Sequence, residues 1–319
     1  MITHPSLTLL SHTFSREDLF LVIYCLVDDW MHTRFGGSNA PRRRRGPRAD
    51  EFSDAEVLTL LLVGELCHCR REAAWLRQVR ASYRALFPAL PEDSRFSRRA
   101  AQVRELLRAF RQSVLFWADA DLEPFRLFDS FPQPLCACYR IRQSSWPLRN
   151  AHFGYNASKK QYYYGMRPQV LITASGFIED LILAPGYYGD PVALAAYLDE
   201  CVEWERNLAG QVWVLDNGYW SPRIAAWAKE RLGLTLLARK RDKKGALPSF
   251  WQATLDHVRK PIEGMISVLT ECFGIEHLLA KTEIGLYRRL QAKATAFTLG
   301  RYFNRVLNLE PLNLARYAV

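Results

Sequence analysis

After Pro124 the hydrophobic period of this 319-residue chain changes from one that suits helices to one that suits strands, and that change limits the fold more than any other feature. Before it, "SREDLFLVIYCLVDDWMHTRF" opens at Ser15 with early acids, runs through a continuous apolar body and stops at Gly36-Gly37. "SDAEVLTLLLVGELCHC" opens with a capping box, Ser53 and Glu56, and is apolar enough to be central. A further helix over about 71–86 ends before Pro88. "SRFSRRAAQVRELLRAFRQSVLFWADAD" predicts one long amphipathic helix carrying Arg95, Arg98, Arg99, Arg104, Arg108 and Arg111. Residues 1–120 therefore read as an all-helical domain with a basic face.

The strand-like half begins with "FRLFD". "YYYGMRPQVLITASG" and "FIEDLILAPG" predict a hairpin turning at residues 174–176. A helix follows from Asp190, a residue able to cap it, with Pro191 behind. Next come the strand "QVWVLD", a helix capped by Ser221, the strand "LTLLARK", a Lys-rich loop, a helix from Pro261 and a last helix over about 282–307. This order over residues 121–319 predicts an α/β fold, a mixed sheet flanked by helices.

Two of the strands end at a carboxylate. "RLFDSFPQPL" stops at Asp129 and "VWVLDNGYW" at Asp216. An aspartate before Ser or Asn-Gly is an ordinary turn former. Yet the carboxyl ends of strands are also where open α/β sheets gather their sites, and adjacent strands would bring both groups within reach of one cation. Glu263, in the first turn of the helix begun at Pro261, is the best third member, although an acid there also suits the helix dipole. Three carboxylates without a matching His or Cys cluster favour a hard ion, Mg²⁺ or Mn²⁺. The pairs Cys67/Cys69 and Cys136/Cys138 have one-residue spacing, which is not that of structural zinc, and the seven cysteines form no disulfide framework.

Charge points to the partner. Forty-three Lys and Arg against 33 Asp and Glu leave +10, a balance that fits a polyanion. The excess clusters in "PRRRRGPR", with Arg42, Arg43, Arg44 and Arg45 as candidate phosphate contacts; Arg140, Arg142, Arg259 and Lys260 extend the set. Trp220 or the Tyr162–Tyr164 run could stack on a displaced base or simply fill a core. No apolar run is long enough for a bilayer span and the N-terminus lacks signal-peptide features, so a cytoplasmic protein is expected.

At these residues the chain resembles the DDE transposases of bacterial insertion sequences. "FSDAEVLTLLLVGEL" resembles the helical segment before their catalytic domain, "FDSFPQPLC" and "VLDNGYWS" the two aspartate strands, "APGYYGDP" the loop after the hairpin, and "RKPIEGMISVLTECF" the glutamate helix. The resemblance implies an RNase H-like catalytic domain with Asp129, Asp216 and Glu263 as catalytic metal ligands for Mg²⁺ or Mn²⁺, two ions in all. It also implies binding of terminal inverted repeats, phosphodiester hydrolysis and strand transfer into target DNA, by a homodimer on double-stranded DNA associated with the nucleoid. Where many relatives carry Lys-x-His on the second strand, this chain has Arg167, Pro168 and Gln169. A DNA-binding repressor, or a transposase remnant without catalysis, is the alternative that the basic helical half alone would satisfy.

Overall fold

The computed structural model describes residues 3–10, 14–41, 51–136, 152–156, 160–238, 264–276, 278–280 and 282–318. In chain order these form α1 (Arg16–Phe35), α2 (Asp54–Leu66), α3 (Glu72–Ser82), α4 (Asp93–Gln102), α5 (Arg104–Trp117), β1 (Phe125–Ser130), β2 (Gln133–Cys136), β3 (His152–Asn156), β4 (Gln161–Thr173), β5 (Ile178–Pro185), α6 (Asp190–Glu203), β6 (Val212–Leu215), α7 (Pro222–Leu232), β7 (Thr235–Ala238), α8 (residues 264–271) and α9 (Glu283–Val306). They divide into two units, residues 1–118 with 268–319 and residues 119–267. No helix among the described residues is long and apolar enough to cross a membrane.

In the helical unit the expected caps form. Ser15 and Ser53 each close a capping box, with Asp18 and Glu56 returning the bond. Nearly every side chain of α2 is buried. The long helix expected after Ser94 is instead two, α4 and α5, separated at Val103; Arg104 Nη1 donates to the Ala101 carbonyl (2.8 Å) at the break. The last helix packs on α2 and α5 within this unit, although its place after the strands in the chain predicts that it stays with the sheet. Its cations explain why it is accepted there. Lys293 is buried against Glu65 (2.5 Å) and Arg288 against Glu72 (2.6 Å), so opposite charges on neighbouring helices neutralise what periodicity alone marks as a basic surface. Arg111, also buried, donates to Gln291 (2.8 Å).

The second unit is built on β4. Residues 169–172 of this long strand pair antiparallel with β1 on one edge and β5 on the other. β1 continues in parallel to β6, and β6 to β7, giving the order β5-β4-β1-β6-β7. Three antiparallel strands followed by two parallel ones make the RNase H-like sheet. The hairpin turns at Gly176 in the left-handed region (φ 84°), as a tight turn requires.

On one face of the sheet α6 and α7 cover a core of Phe128, Leu171, Leu194, Tyr197, Trp213 and Leu215. Below it lies a buried ionic cluster: Glu179 accepts from both Arg126 and Arg206, and Asp180 from Tyr197 (2.8 Å) and Arg206 (3.3 Å). The amino-terminal half of β4 extends beyond this sheet, flanked by β2 and β3. Neither flanking strand is announced by the sequence. Pro134 sits inside β2, tolerated on a strand paired along one edge, and Gly154 interrupts β3.

Candidate active site

The register of β1 against β6 decides the position of the two strand-end aspartates. Phe128 lies opposite Leu215 in a parallel pair, so one residue further Asp129 and Asp216 stand side by side at the carboxyl ends of their strands. Both are half-buried. Asp129 accepts a bond from the backbone N–H of Ser130 (2.8 Å). Asp216 leads into a 3-10 turn, Asn217–Tyr219, without capping it through its side chain.

A third aspartate lies within electrostatic reach of Asp216. Asp190, expected as a helix cap, is the first residue of α6, and Gly189 occupies the cap position without a side-chain bond. Its carboxylate instead pairs with Arg167 Nη2 (2.7 Å), while Arg167 Nε donates to Ser130 Oγ (2.9 Å). Burial holds the Asp190 carboxyl above its usual range; Arg167 opposes the shift and the charge of Asp216 adds to it. Tyr219 closes the inner side. Its hydroxyl donates to Gln169 Oε1 (2.7 Å), its ring packs edge-on against Phe128, and burial pushes its phenol far above the ordinary value.

Neither Asp190 nor Arg167 carried a functional signal from spacing alone. Gly218 completes the arrangement, because a Cβ at this position would lie 2.3 Å from Asp190 Oδ2. Gly218→Ala is therefore expected to push the Asp190 carboxylate off Arg167. Misplacement on the ångström scale costs up to about a hundredfold in rate, whereas stability should change little, because Gly218 is exposed and the clash is with the end of a side chain that can move. Cleavage rates and denaturant melts measure both; an unchanged rate would detach Asp190 from the site.

Of the other expected site residues, Glu263, Arg42, Arg43, Arg44, Arg45, Arg140, Arg142, Arg259 and Lys260 lie outside the described residues. Among the described residues no group of three or more acidic, histidine or cysteine side chains is placed to hold a metal ion. The donors present do suit a hard cation in kind. They are carboxylate oxygens, the donors that a hard divalent ion takes. Trp220, one of the two candidate stacking positions, is partly buried against the core beneath α6 and α7.

Residues 123–299 match the profile of the transposase DDE domain, and these residues include the two strand-end aspartates. The chain belongs to that family. Among solved structures this transposase is similar to a piggyBac transposase synaptic complex with hairpin DNA, at 11% identity over 96% of this chain and 79% of that one, with a TM-score of 0.41. It is similar also to the Mos1 transposase paired-end complex with left transposon end, at 12% identity over 84% and 83% of the two chains and a TM-score of 0.23. Comparison with curated proteins gives no match.

Proposed function

We propose that this transposase binds the terminal inverted repeats of an insertion sequence, hydrolyses a phosphodiester at each end and joins the freed 3′-hydroxyl to target DNA. The observation that carries the reading is the parallel register setting Asp129 beside Asp216 at the carboxyl edge of the sheet. In this role Asp129, Asp216 and Glu263 hold two Mg²⁺ or Mn²⁺ ions. When bound, such ions activate the attacking oxygen and stabilise the leaving oxygen of an in-line displacement.

The chain's own residues do the rest. Arg167 clamps Asp190 and keeps its charge from spreading the two ligands apart. Tyr219 and Gln169 seal the site against the core, so that the carboxylates act where few waters screen them. Arg42, Arg43, Arg44, Arg45, Arg140, Arg142, Arg259 and Lys260 neutralise phosphates along double-stranded DNA, and two ends are joined by a homodimer.

The test is a strand-cleavage and joining assay on duplex DNA ending in the element's own repeat, with Mg²⁺, Mn²⁺ or EDTA. Metal-dependent nicks and joined products support the reading. Binding without cleavage in any metal would return the protein to the class of DNA-binding repressors.

A further inference from the structure

The ribbon that β4 forms with β3 beyond the main sheet has two unlike faces. On one, Tyr163 is buried, its ring lying over Gly154, where a Cβ would meet it at 2.5 Å. On the other, Phe153 pairs across the strands with Tyr164 and Tyr155 with Tyr162, with ring centroids 5.5 and 4.9 Å apart. Phe153, Tyr155 and Tyr162 are 58%, 52% and 68% exposed. Large aromatic rings left this open on a strand pair are costly in water, and a patch of them marks a binding surface.

The charge of the sequence that carries these strands says what binds. From Ser130 to Met166 the sequence contains no carboxylate, while it carries Arg140, Arg142, Arg149, Lys159 and Lys160. A partner that is anionic along its length and offers flat apolar faces fits both features, and single-stranded DNA is such a partner. The spacing agrees. Side chains on one face of a strand recur about every 6.6–6.8 Å, roughly twice the 3.4 Å rise of stacked bases, so one base can enter between successive rings.

Position also agrees. Side chains alternate along β4, so Tyr162 and Tyr164 share a face with Val170, and Val170 is the cross-strand partner of Asp129. The aromatic face and the first aspartate thus lie on one side of the strand, about 27 Å apart along it. That is the length of about eight stacked nucleotides.

We infer that the face formed by Phe153, Tyr155, Tyr162 and Tyr164 is a stacking platform for the unpaired bases of a DNA strand running from the carboxylate site. The inference rests on the transposase reading for its substrate, but it has its own readout. The full-length protein is titrated with fluorescein-labelled poly-dT by anisotropy at low and high salt, beside the cleavage assay on duplex ends. Tyr155→Ala/Tyr162→Ala is expected to weaken poly-dT binding by about tenfold or more, with the loss persisting at high salt, where phosphate contacts fade. Tyr155→Phe/Tyr162→Phe, which keeps both rings, is expected to stay within about twofold of wild type, and Tyr162→Ala alone guards against misfolding of the double variant.

Unchanged poly-dT affinity in the alanine variants overturns the platform even if wild type cleaves DNA. A change of oligomeric state by sedimentation without a change in poly-dT affinity also overturns it and assigns the face to a second copy of the chain. Failure of the transposase reading shows separately, as a wild-type protein that cuts no duplex end whatever its affinity for poly-dT.

Discussion

Asp216→Asn is expected to lower metal-dependent strand cleavage by roughly three orders of magnitude while DNA binding persists, because a divalent ion contributes several kcal/mol to the transition state and each 1.4 kcal/mol is about tenfold. The substitution is nearly isosteric, and Asp216 makes no side-chain cap to the turn it begins, so the loop loses no cap bond. What is lost is one of two charges that adjacent parallel strands hold together. The same change carries a pH signature. In the native protein Asp190 is held above its ordinary value of 3.8, in part by the charge of Asp216. An acid whose folded value is raised binds its proton more tightly in the folded state, so stability falls as pH rises from 3.8 through the raised value. In the Asp216→Asn variant that fall should shrink. Quench-flow cleavage assays and thermal melts across the acidic range measure the two effects; full activity in the variant would end the catalytic assignment of this pair.

Glu179→Ala is expected to destabilise the sheet unit by about 3–5 kcal/mol, the range found when one partner of a buried ion pair is removed. Glu179 accepts from Arg126 and Arg206, and Arg126 is only 1% exposed. Alanine leaves that guanidinium without its carboxylate and without access to water. Glu179→Gln keeps an acceptor but not the charge, and its cost should be smaller. Urea melts followed by tryptophan fluorescence report the order of the three proteins. Equal midpoints for wild type and alanine variant would show that Arg126 is satisfied by the carbonyls of Asp121 and Glu123 alone.

Much of the local structure was legible because it depends on neighbouring residues. Ser15, Ser53 and Ser221 start helices where capping chemistry places them, Thr282 caps the last, and the hairpin turns at its glycine. The strand-end positions of Asp129 and Asp216 followed from where apolar runs stop. β2 and β3 were not legible, since a proline and a glycine break their patterns and their pairing partner is the remote β4. The break at Val103 was hidden for a different reason: the apolar spacing of Phe96, Ala100, Val103, Leu107 and Phe110 continues in helical phase across it.

By itself the amino-acid sequence determined most of the helices and the main strands and set two acids at strand ends, because caps, turns and periodicity act over a few residues. Only the tertiary structure decided which groups meet. The parallel register sets Asp129 beside Asp216, the approach of α6 to β4 turns Asp190 from a helix cap into the partner of Arg167, and the burial of α9 spends Arg288 and Lys293 on Glu72 and Glu65. These outcomes depend on contacts between distant segments, where burial raises the cost of an unpaired charge until a partner is found, and no local pattern records that partner.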